Sequence, residues 1–308
     1  MNRNVYIPLI LAFVLASSLA LVSCKAESPV SPGGADTIPD TIPDKPADTS
    51  MIIDHTCCDI SAVPRTAIQD AIDRLVIAYG HTSHGSQLVT GMDGLAAFLG
   101  DDLYRHSLDG SGGTLELRDK AMPLDLGYPS WEPDTRAYLD DHPEVNVVIW
   151  SWCGQVRDAT EAVIDTYLSL MTALEDDYPG VRFVYMTGHL TGDSPGSNIY
   201  VRNQQIRDYC VENDKILYDF ADIESYDPDG VFYADRRAND NCDYDSNGNG
   251  ILEPGVDANW AIDWQEANPG KWYDCISQHS QPLNANLKAY AAWYLWARLG
   301  GWDGSSGE

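Results

Sequence analysis

Four short, nearly unbroken runs of β-prone apolar residues constrain this chain most: "RLVIAYG", "VNVVIWSW", "VRFVYMTG" and "KILYDFADI". A strand with one wet face alternates apolar and polar residues. These runs do not alternate, so both of their faces are expected to be covered. Between them lie stretches of helical spacing. In "DATEAVIDTYLSLMTALEDDYP", Ala162, Ile164, Leu168, Met171 and Leu174 recur at an interval suited to one helix face. "QLVTGMDGLAAFLG", "NIYVRNQQIRDYCVEND" and "PLNANLKAYAAWYLWARLGGW" also read as helices, and "DTRAYLDDHP" as a helix stopped before Pro143. "DDLYRHSLDGSGGTLELRD" reads as loop with some extended structure. Strands separated by helices predict a parallel sheet covered on both faces, a three-layer α/β/α sandwich. Residues 225–272 break this rhythm and read as a long insertion.

The first residues follow a different logic. Arg3 precedes an apolar stretch running to about Leu21, then "LVSC". That is the layout of a signal peptide over residues 1–23. "LVSC" resembles the bacterial lipobox, which implies a lipid on Cys24, and Lys25 after it resembles the pattern of outer-membrane sorting. A bacterial outer-membrane lipoprotein is the expectation, held to the membrane by its lipid alone. Residues 24–50, with the tandem "DTIPDTIPD", are rich in proline and acidic groups and read as an extended tether. Residues 51–308 are long enough for one substantial domain.

With 19 basic against 47 acidic residues the formal charge is −28, which repels phosphate backbones and argues against nucleic acid as a partner. Beyond Cys24 stand Cys57, Cys58, Cys153, Cys210, Cys242 and Cys275. An even set in an exported chain predicts disulfides, with the pairing open. Oligomeric state is not legible.

The densest chemistry lies in "GHTSHG", directly after the first apolar run, where His81, Ser83, His84, Gly85 and Ser86 crowd one turn. Ligand sites in open α/β sheets gather at the carboxyl ends of strands. A serine there either attacks substrate or caps the following helix. Cys153 and His189 also stand at strand ends, where a Cys–His pair can form a nucleophile. Membership of an even cysteine set assigns Cys153 to a disulfide instead. His81, His84 and His189 together form a loose metal-ligand alternative.

The order strand–"GHTSHG"–helix, strand–"SWCGQ", strand–"MTGH", strand–"YDFADI", then "QHSQPLNANLKAYAAWYLWARL", resembles the SGNH/GDSL hydrolase superfamily over about residues 70–300. "HTSHG" resembles a variant first block of that family, of His-His-Ser-x-Gly form. The resemblance implies a flavodoxin-like sandwich with Ser83 as nucleophile and His279, just before the last helix, as base. It also implies oxyanion and substrate contacts from Gly85, Gly154, Gln155 and His81, with Gly127 as a further glycine match, while His189 at its strand end is placed to line the same pocket. Gln155 stands where the family has Asn. Ile276 stands where the family has Asp, so either Asp274 orients His279 or serine and histidine act as a dyad. No cofactor is expected for that chemistry. The implied activity is a serine esterase acting on a small ester or an acylated carbohydrate. The alternative is a non-catalytic carbohydrate-binding lipoprotein on the same fold.

"DYDSNGNGILEPGVD" carries Asp243, Asp245, Asn247 and Gly248 at the spacing of a calcium loop, with Asn249 and Glu253 following. Pro254 occupies the place of the usual bidentate Glu, so Glu253 or Asp257 would substitute. A structural Ca²⁺ in the insertion is the expectation. Trp131, Trp150, Trp152, Trp260, Trp264 and Trp272 either form a sugar-stacking rim or pack the interior.

Overall fold

The computed structural model describes residues 50–253 and 255–305. The expected signal peptide, Cys24 and nearly all of the tether lie outside them. In chain order the sheet and its covering helices are β1 (Met51–Ile53), α1 (Arg65–Arg74), β2 (Val76–Gly80), α2 (Ser86–Leu99), β3 (His106–Ser107), β4 (Leu115–Asp119), α3 (Trp131–Asp141), β5 (Val147–Trp150) and α4 (Glu161–Asp177). Then come β6 (Arg182–Met186), α5 (Asn198–Glu212), β7 (Ile216–Tyr218) and α6 (Phe220–Ile223). A hairpin of β8 (Asp243–Tyr244) and β9 (Ala258–Asn259) leads to α7 (Trp260–Ala267) and α8 (Pro282–Leu299).

Seven strands form one sheet in the order β1-β7-β6-β5-β2-β4-β3, and every pairing is parallel. The unbroken apolar runs are explained by the pleat. In β5, Val147 and Ile149 join the core under α1, α2 and α8, while Val148 and Trp150 join the core under α3, α4 and α5. Two dry faces require apolar residues at every position. The three layers are those the sequence predicts.

Nothing in the apolar pattern marks β1. It is three residues long and joins the sheet because β7 offers it an edge. The tryptophans pack inward: Trp131, Trp150, Trp152 and Trp260 are all buried, and Trp264 and Trp272 lie against the core. They form no sugar-stacking rim. Gly80 is required by one of them, because a Cβ at that position would come within 2.3 Å of the Trp150 ring.

The expected disulfides do not form either. Cys57, Cys58, Cys153, Cys242 and Cys275 carry free thiols. Cys242 faces Ser280, Cys275 faces Asn286, and Cys153 faces His84. Cys210 is buried within α5, on the opposite face of the sheet from Cys57 and Cys242. Even Cys57 and Cys242, which share one core, turn their thiols to the Ile52 carbonyl and to Ser280, so an even count does not become pairs.

Candidate active site

The strand order reverses between β2 and β5. From β2 the chain runs to β4 on one side, then crosses to β5 on the other, and crevices open at such a point beyond the strands' carboxyl ends. The turn His81–Gly85 follows β2 and the loop Ser151–Gln155 follows β5, so these two loops face each other. Gly85 makes the approach possible: a Cβ there would come within 2.2 Å of Ser151 Oγ and 2.5 Å of His81 Cβ.

A buried carboxylate ties the loops together. Asp125 accepts hydrogen bonds from Thr82 Oγ1 (2.6 Å), Gly127 N–H (2.9 Å) and Gln155 Nε2 (2.9 Å). Gln155 Oε1 in turn accepts the Cys153 N–H at 2.9 Å. Both ends of the Gln155 amide are thus engaged in bracing the Cys153 loop, and Gly127 packs against that side chain. Neither is placed as the oxyanion donor that the resemblance implies.

Across the crevice, His84 Nδ1 lies 3.2 Å from Cys153 Sγ, and His84 Nε2 lies 2.9 Å from Asp240 Oδ2. Ser83 Oγ lies 3.6 Å from the same sulfur. Asp240 comes from the insertion and is held by its N–H to the Leu190 carbonyl (3.1 Å). Burial alone would push the Cys153 thiol up. The hydrogen bonds of Ser83 and His84, with the charge of His84, outweigh it and hold the thiol below its ordinary value. Burial opposes the charged form of His84 as well, but hydrogen bonds to Asp240 and Cys153 raise it above the usual imidazole value. Asp240 is penalised by burial yet ends below the carboxylate norm through His84. All three shifts favour the charged form of the group concerned.

Two more imidazoles flank His84. His189 stacks on one face at 3.8 Å and His279 stacks at 4.5 Å. His189 Nδ1 lies 2.7 Å from the Leu190 carbonyl, so that nitrogen carries the proton. Its buried Nε2 has no partner among the described residues. Burial, then the charge of His84, hold this imidazole below its usual value.

A buried cation braces the stack from beneath. Lys288 of α8 donates to Glu224 Oε2 (2.8 Å) and Gln87 Oε1 (2.5 Å), and both ends of the ion pair are fully buried. Glu224 also accepts the Leu190 N–H, while Gln87 Nε2 donates to the Gln278 carbonyl at 2.6 Å. Lys288 therefore holds the segments that carry His189 and His279.

The expected serine triad is not assembled. Among the described residues no hydrogen bond joins Ser83 to His279, and Ser83 faces Cys153. His279 stacks on His84 with a left-handed backbone, φ 62°. Asp274 is exposed, and among the described residues no hydrogen bond or salt bridge joins it to His279. His81 turns under the loop, with Nε2 2.5 Å from Asp119 Oδ1 and Nδ1 2.8 Å from the Thr82 carbonyl. It is thereby withdrawn from the His81–His84–His189 metal grouping. Gly154 only begins the short turn after Cys153. His84, Asp240 and His279 do present ligand atoms within 4.8 Å of one another. In the structure His84 Nε2 pairs directly with Asp240 Oδ2.

In the insertion, Asp243 turns to Asn241 and Asn259 (2.9 and 2.8 Å) on the hairpin. The loop instead winds around Asp245, whose carboxylate accepts the N–H groups of Gly248, Asn249 and Gly250. Asn249 reaches Glu253 (2.8 Å), and Asp257 closes the loop on Ser246 and Asn247.

Asp240 is the residue that sequence reasoning missed. It sits beside the calcium-loop pattern, and nothing local marks it. Comparison with protein-family models, curated proteins and solved structures finds no match to this chain.

Proposed function

We propose that this protein is an ester hydrolase whose nucleophile is Cys153, with His84 as acid–base and Asp240 as the group orienting it. One observation carries the reading: His84 bridges the Cys153 sulfur and the Asp240 carboxylate through its two nitrogens. A base within reach of a nucleophile and oriented by a third group is the arrangement acyl transfer requires. The thiolate attacks the ester carbonyl, and the C–O bond breaks as the His84 imidazolium gives its proton to the leaving alcohol. Water then attacks the thioester while His84 takes its proton. The acid leaves and the thiolate is restored. The N–H groups of Ser83 and His84, at the head of α2, donate no hydrogen bond among the described residues and are assigned to the carbonyl oxygen. The resemblance to SGNH hydrolases supports an ester as substrate. It also supports the serine alternative, which the test separates. After brief mixing with p-nitrophenyl acetate and acid quenching, mass spectrometry should find the acetyl group on the peptide carrying Cys153. Acetyl on Ser83 would overturn this assignment.

We also propose that the insertion binds a structural Ca²⁺, with Asp245, Asn247, Asn249 and a carboxylate from Glu253 or Asp257 as its oxygen ligands. The turn around Asp245 fits a hard cation, whereas Asp243 is turned away, so the ligand series begins two residues later than the spacing suggests. An ion held only by the folded form stabilises it by about 2.7 kcal/mol at one hundred times the dissociation constant. Chelation should lower Tm in the native protein and not in Asp245→Ala. Equal sensitivity in both proteins would exclude this loop.

A further inference from the structure

Beside Ser83 a cleft of about 650 Å³ opens at the mouth of the crevice. One wall is the turn after β2 with the start of α2, and the others are the segment after β4 and the one before α8. The segment after β4 contributes Lys120, Met122, Pro123 and Leu124, and the segment before α8 contributes Ile276 and Gln278. Met122 is buried and forms a floor, while Leu124 and Ile276 are 41% and 74% exposed. Large apolar groups left in water beside a nucleophile cost free energy unless something covers them during turnover. Lys120 and Leu124 both adopt left-handed backbone, φ 53° and 70°. Neither residue type favours that conformation, so the surrounding fold imposes the turn that presents them.

Among the described residues, Lys120 is the only lysine or arginine lining the cleft. Its neighbour in sequence, Asp119, is taken by His81. In a chain with 47 acidic and 19 basic residues, an ammonium that makes no hydrogen bond or salt bridge among the described residues, in a cleft lined by Ser83, is a local exception. Ile276, which interrupts the family pattern, gains a role as a wall of this cleft.

We infer that the cleft selects an ester whose acyl chain is apolar and ends in an anion. The chain lies between Leu124 and Ile276 over Met122, and a terminal carboxylate meets Lys120. A half-ester of a medium-chain dicarboxylic acid has this chemistry. The inference rests on Cys153 acyl transfer for its catalytic part and adds the substrate class.

The test uses the full-length protein and two p-nitrophenyl esters, the hexanoate and the adipate half-ester. The native protein should favour the adipate half-ester by about fivefold in kcat/KM, the upper range for a partly exposed charge pair. Lys120→Met should bring that ratio to about one and Lys120→Glu should invert it. Leu124→Ser with Ile276→Ser should raise KM for both esters more than it lowers kcat. A native ratio near one that is unmoved by Lys120→Glu overturns the inference. Binding separates this failure from a failure of the catalytic reading. A dansyl-labelled undecanoate should bind Cys153→Ala and bind less well when Lys120→Glu is added. If the native protein hydrolyses neither ester yet the probe behaves this way, the esterase reading falls and the cleft assignment stands. Absence of probe binding overturns the assignment.

Discussion

Cys153→Ala should lower kcat for an activated ester by on the order of 10⁴-fold or more, and His84→Ala should do nearly the same. Combining them should cost little extra, because a nucleophile and its base act as one unit. Asp240→Asn should retain more activity, since His84 keeps its contact with the sulfur. Ser83→Ala should also leave substantial turnover. The pH dependence follows from the signs of the shifts. The Cys153 thiol lies below its ordinary value, so alkylation by iodoacetamide should reach half its maximal rate at a lower pH than a free thiol. The His84 imidazole lies above its ordinary value, so the charged acid survives to higher pH than a free imidazole would. Both shifts favour the ion pair, so thiolate facing imidazolium should be more populated here than for the same two groups free in solution. Asp240→Asn removes a support of the imidazolium, and the alkylation midpoint should move up. Full activity in Cys153→Ala would return the nucleophile to Ser83.

The second large effect is on stability. Lys288 and Glu224 have no exposure to solvent, and Glu224 accepts from both Lys288 and the Leu190 backbone. Lys288→Met leaves that carboxylate buried without its cation and should destabilise the fold by about 3–5 kcal/mol, as breaking a buried pair does. Adding Glu224→Gln should recover much of the loss, because the uncompensated charge is then gone and the amide can still accept from Leu190. Urea denaturation of the two variants checks this. An unchanged midpoint in Lys288→Met would mean the carboxylate finds another partner or takes up a proton at little cost. The double variant, though folded, should turn over more slowly, since Lys288 also holds Gln87 and through it the Gln278–His279 segment.

The sequence by itself determined the layers. Val147 through Trp150 are apolar at every position because the strand has two dry faces, and that requirement is written into four consecutive residues. It also determined where chemistry would gather, since polar, reactive residues directly after β2 and β5 are legible as a departure from those runs. It did not determine which side chains meet. Ser83 and His279 were matched by their places along the chain, but in space His279 stacks on a neighbouring imidazole and Ser83 faces a sulfur. Cys153 was assigned to a disulfide by counting, and counting says nothing about which layer each cysteine enters. Asp240 reaches His84 from 156 residues away, on an insertion placed by its pairing with the loop after β6. Periodicity reports the local environment of a segment. Contact between loops depends on the order of strands in the sheet, and only the placing of β5 beside β2 brought Cys153 within reach of His84.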